Sequence, residues 1–187
     1  MERHRQTAAP RPTAASLSFA AMGPLMQKMP TYTRYTSLAH AVAAERVYRR
    51  ALGARLKECG DRLLGVVERK AQIMSAEMEQ AIDVLVERIG DIFRRLDREG
   101  VVTLVGGSSR TIAEIEQIDS RLVLLIEDVL ALVNNLGTDV PATEWFKSEA
   151  PRLARDLAEF SKLTEERNYL LGLGWESEFQ RARKHVS

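Results

Sequence analysis

Cysteine occurs once in the chain, as Cys59. A lone thiol excludes an internal disulfide and leaves no cysteine cluster to hold a structural metal, so a reducing compartment is permitted. Histidine is almost as scarce. His4, His40 and His185 are the three, none has a helical partner, and no histidine metal pair or catalytic dyad is written into the sequence. Glycine numbers 11 and proline 6 in 187 residues, too few for a turn-rich sheet protein. Leu, Ala, Glu and Arg dominate instead, and these are good helix formers. Net charge is nearly absent, at +1, which points to neither nucleic acid nor membrane as a bulk partner. No apolar run reaches the roughly 20 residues needed to cross a bilayer.

What is present is helical periodicity. Ile115, Ile118, Leu122, Leu125, Val129, Leu132 and Leu136 follow one another by threes and fours. The flank through Val123, Leu124, Ile126, Leu130 and Val133 is apolar too, so this helix needs partners on more than one side. A second pattern starts near Thr36 and runs through Leu52, Leu56, Cys59, Leu63, Val67, Ala71, Met74, Met78, Ala81, Leu85, Ile89, Ile92 and Leu96. Read as one helix from Thr36 to Arg98, it is about 95 Å long at 1.5 Å per residue. Gly60-Asp61 is its weak point, with continuity favoured because the seam keeps its face. Met74, Met78 and Cys59 lie on this stripe and read as core packing.

Asp97-Arg98-Glu99-Gly100 supplies a helix stop. The following Val101 to Thr111 segment contains Gly106-Gly107-Ser108-Ser109, which lacks phosphate-loop spacing and reads as a connector. Thr111 with Glu114 forms a capping box. Asn134 to Pro141 ends the next helix, and Thr143 or Ser148 caps the last, with Pro151 in its first turn. Phe146, Ala150, Leu153, Leu157, Phe160, Leu163 and Leu170 form its stripe, and Trp145 and Phe146 pin its entry. Glu127 and Asp128 fall on a polar strip, diverge by about 100° on a helix, and lack a histidine or cysteine to work with.

These readings predict an all-α fold. It is an elongated three-helix bundle, with one long coiled-coil-like helix and an antiparallel helical hairpin at about Thr111 to Leu136 and Thr143 to Leu170. Residues 1–35 read as a flexible basic arm, 36–171 as the bundle and 172–187 as a basic tail. The arm is Arg-bearing and nearly free of acids, as organelle transit peptides are, so import is the alternative to a cytoplasmic location. Met1 to Lys57 carries only Glu2 and Glu45 as acids, whereas Thr111 to Glu166 is acid-rich. Opposite charge in two halves implies mutual packing or complementary partners.

The long helix outruns the other two, leaving its first half uncovered. Leu52, Leu56, Cys59 and Leu63 are therefore the expected partner-binding residues, because exposed heptad seams bury themselves on another chain. The expected function is a non-enzymatic interaction protein, a coiled-coil adaptor or assembly subunit. The alternative is a helical protein held at a membrane surface by its basic ends. No cofactor or metal is expected, and the partner is a protein or a second copy rather than nucleic acid.

Overall fold

The computed structural model of the chain describes Leu25, Gln27, Lys28 and residues 38–97, 109–137 and 142–171. Among them every regular element is helical, in five α-helices: α1 Leu38–Lys70, α2 Ala76–Leu96, α3 Ser109–Gly137, α4 Ala142–Ser148 and α5 Ala150–Leu170. None is long and apolar enough to cross a membrane. The Gly106-Gly107 connector and the basic tail lie outside the described residues, as does most of the basic arm. Leu25 of that arm is buried in the core cluster, so the arm is anchored at that residue.

The single helix expected from Thr36 to Arg98 is two helices folded back on each other. α1 passes unbroken through Gly53, Gly60 and Gly65, and the break falls at Ala71–Ile73, a short 3-10 turn. Met74 is extended there, and Ser75 caps α2 by accepting the Met78 amide on its hydroxyl at 3.3 Å. Charge marks the same boundary. Arg69 and Lys70 close α1 and Glu77 and Glu79 open α2, each favoured by the helix dipole at its end. The apolar spacing hides the turn because Met74 and Met78 stay packed against the core on either side of it.

Four long helices replace the expected three. α1 and α2 run antiparallel, with Gly53 against Phe93 and Gly60 against Ile89. α3 and α5 form a second antiparallel hairpin, in which Arg121 donates to Glu159 and Asn135 to Glu149. The hairpins lie side by side with like helices parallel. Tyr48, Arg55 and Lys70 of α1 reach Asp119, Glu127 and Leu136 of α3 in order, and Arg88 and Arg95 of α2 reach Ala154 and Ser161 of α5.

α3 has partners on both flanks, as its all-round apolarity requires. Ile115, Leu122, Val123, Leu125, Ile126, Val129, Leu130, Leu132, Val133 and Leu136 are all buried. The buried Trp145 of α4 locks the returning chain, its indole N–H donating to the Leu132 carbonyl at 2.7 Å. Pro151 sits in the first turn of α5. It has no amide to continue α4, so the expected last helix divides at Glu149.

Folding α2 back covers the seam. Leu52, Leu56, Cys59 and Leu63 are each 0% exposed, inside the chain's own core. They are not an open partner surface in this fold; that expectation rested on a helix too long for its neighbours to cover. Leu56→Asp, placing a lone charge in that core, should destabilise the isolated chain by more than about 4 kcal/mol in chemical denaturation. Ser75→Ala should cost about 1 kcal/mol as a lost cap.

Candidate functional site

Polar side chains are not spread evenly through the interior. The starts of α1 and α3 and the ends of α2 and α5 meet at one end of the bundle. Glu45, Arg49, Thr111, Asp119, Thr164, Arg167 and Asn168 are buried there, while the buried Glu127 lies farther along α3. Arg167 is the hub. Its two terminal nitrogens donate to the Glu45 carboxylate oxygens at 2.7 and 2.5 Å, and its Nε donates to Asp119. All three side chains are 0% exposed.

Arg49 approaches the same Glu45 carboxylate at 2.9 Å. Two carboxylates thus face two guanidinium groups, and the buried cluster is neutral. Tyr48 closes it from α1. Its hydroxyl donates to the Asp119 carbonyl at 3.1 Å, and the Arg167 guanidinium lies 5.0 Å from its ring centre, within cation–π range. Burial, and next the nearby Asp119, hold the Tyr48 phenol well above its usual range. The Asn168 Oδ1 is buried with no hydrogen-bond partner.

Every charge in this cluster is committed to a partner within the bundle. Its physical effect is on register. Sliding α5 past α1 or α3 by one turn strands Arg167, Glu45 and Asp119 without partners, at several kcal/mol per buried charge.

Farther along, Arg55 clamps Glu127 across α1 and α3. Nε donates to Oε1 at 3.0 Å, and Nη2 reaches Oε1 and Oε2, each at 2.7 Å. The polar strip is therefore an interhelix seam at Glu127, which is 6% exposed. The basic first half of the chain and the acidic second half meet in this clamp. Among the described residues no group of three or more potential ligands is placed to hold a metal. Cys59 is buried, and burial, with Glu58 adding to it, pushes its thiol up to about 12.

Thr111 is not the cap expected of it. α3 begins at Ser109, which makes Thr111 the buried third residue of the helix, and Glu114 is engaged by Arg110 at 3.1 Å.

A concave surface that combines apolar and charged groups lies outside the core, where α1 and α2 converge near the ionic end. Gly53, Phe93 and Leu96 line its base, with Arg49, Arg50, Ala54, Lys57 and Asp97 around it. At about 260 Å³ it is smaller than most small-molecule sites and holds one or two side chains. The glycine makes it. A Cβ on Gly53 would stand 3.2 Å from the Phe93 ring, so a larger residue would force the helices or the ring apart.

Arg167→Ala should cost about 3–5 kcal/mol by stranding two carboxylates, whereas replacing Glu45, Asp119 and Arg167 together by Leu, Leu and Met should recover most of that loss in urea unfolding. Alkali should also destabilise the fold. Cys59 ionises near 9.0 when unfolded and near 12 when folded, so its contribution is complete below pH 9 and is lost as pH climbs from 9 to 12. Tyr48 acts with the same sign at higher pH, and Cys59→Val should flatten the decline of melting temperature across that window. In comparisons with known proteins, no family model, no curated protein and no solved structure matches the chain.

Proposed function

We propose that the chain is a non-enzymatic helical interaction protein, an adaptor or assembly subunit working in the cytoplasm, that engages its partner through a preformed outer surface. The observation that carries this reading is the cleft between α1 and α2. Phe93 is 36% exposed beside the buried Leu96, and cations crowd the rim. Natural binding surfaces combine such features: an apolar patch to fill and polar groups that fix orientation.

The interior supports the same reading from the other side. Its acids are chelated by arginines and its thiol is buried, so the chemistry of the chain is turned outward.

Size measurement in native cell extract tests the proposal. The tagged chain is expected to run in an assembly larger than its own 21.0 kDa and to return to monomer size after purification in high salt. Migration as a 21.0 kDa species in extract would overturn it.

A further inference from the structure

The cleft carries enough chemistry to say what kind of partner fits it. From Arg46 to Lys57 the chain reads Arg-Val-Tyr-Arg-Arg-Ala-Leu-Gly-Ala-Arg-Leu-Lys, with five cations and no acid. Two of them are committed inside the bundle, Arg49 to Glu45 and Arg55 to Glu127. Arg50 is exposed and enters no ion pair among the described residues. Lys57 touches only Asp61 in a solvent-exposed pair, an interaction of little strength that leaves its ammonium available. Both rim a base made of Gly53, Phe93 and Leu96.

Two other depressions on the described surface lack this combination. Along α1, the shallow depression from Ala54 to Arg69 is lined by no apolar side chain larger than alanine. On α3, the face around the exposed Leu124 offers Glu116 and Arg121 together, and Arg121 is held by Glu159.

We propose that the α1–α2 cleft seats an acidic amphipathic segment of a partner protein, with one apolar side chain set against Phe93 and Leu96 and flanking carboxylates on Arg50 and Lys57. The proposal rests on the interaction reading above and names its partner's chemistry. Shape favours a segment over a membrane. The apolar base is recessed between two helices, and a bilayer surface cannot enter a cleft that admits only one or two side chains. Asp97 also lines the cleft, at its Arg49 end, and repels a carboxylate brought beside it. The contact is charge-steered, and salt therefore weakens it.

The test uses the full chain, a fluorescent Glu/Leu-rich helical peptide, the same peptide with each Glu replaced by Lys, and vesicles of zwitterionic lipid with or without phosphatidylserine. The acidic peptide is expected to give saturable anisotropy, weakened roughly tenfold or more by Arg50→Glu with Lys57→Glu, and the Lys peptide none. Circular dichroism checks that the exposed changes leave helicity intact. Ala54→Trp, which fills the cleft from its exposed side without altering charge, is expected to weaken binding as well.

Failure of the acidic peptide to saturate would overturn the proposal. So would equal binding by the charge-reversed chain, or binding of phosphatidylserine vesicles alone with the same charge dependence. If the charge-reversed chain still assembles normally in extract, the cleft assignment fails while the interaction reading stands. If the peptide binds but the chain is monomeric in extract, the interaction reading fails instead.

Discussion

A guanidinium that has been removed from water must find its counter-charges within the fold, and Arg167 finds them on two other helices. Glu45 comes from α1 and Asp119 from α3, both in direct contact. Removing such charges from water costs several kcal/mol each, which their attraction returns only when the geometry is right. The cluster is therefore a weak source of net stability and a strong source of discrimination. Hydrophobic stripes alone tolerate a slide of one helical turn, since leucines at spacings of three and four look alike to one another. An Arg167 displaced by that turn does not.

Beyond the ionic end, the bundle is held by ordinary packing and by bonds that tie helix to helix. Lys70 donates to the Leu136 carbonyl at 2.8 Å, so α1 and α3 end together. The Arg55–Glu127 clamp joins them midway. Toward α2, the contact depends on absence of bulk: Gly53 lets the Phe93 ring lie against the α1 backbone. That close approach closes the core over Leu52 and Leu56, and the same ring lines the outer cleft. Core closure and the exposed surface are two sides of one packing event.

Much of this was legible in the residues, and the failures have specific causes. α3 was expected over Thr111 to Leu136 and is found over Ser109–Gly137, because an all-round apolar helix has little choice. The turn at Ala71–Ile73 was missed because neither glycine nor proline marks it and the methionines keep the period across it. Its signal lay in charge, with Arg69-Lys70 followed by Ser75, Glu77 and Glu79. Apolar residues alone do not reveal the hub. On α5 the buried series is Leu153, Leu157, Phe160, Thr164, Arg167, in steps of four and three that continue onto polar residues, while Leu163 is only partly buried. On α1 the stripe of Leu63, Cys59, Leu56 and Leu52 continues backward to Glu45. Two charges of opposite sign, each sitting where an apolar stripe says buried, are the sequence trace of an internal ion pair.

That correction changes what kind of interaction protein the proposal describes. An open heptad seam binds by completing a hydrophobic core, so its partner helix is obligatory and the unbound chain is poorly folded. Here the seam is already filled by α2, and the bundle needs no partner to bury Leu52, Leu56, Cys59 and Leu63. A partner meeting such a surface gains a small apolar contact at Phe93 and a few charge pairs, none of which the fold depends on. Binding of that kind is reversible and sensitive to ionic strength, since exposed pairs are screened over about 8–10 Å. Under the proposal, the stability of the chain and its recognition of a partner rest on different residues: Arg167 and the leucine stripes for one, Arg50, Lys57 and Phe93 for the other. Gly53 and Leu96, which serve both the packing of α2 on α1 and the cleft, constrain the two together.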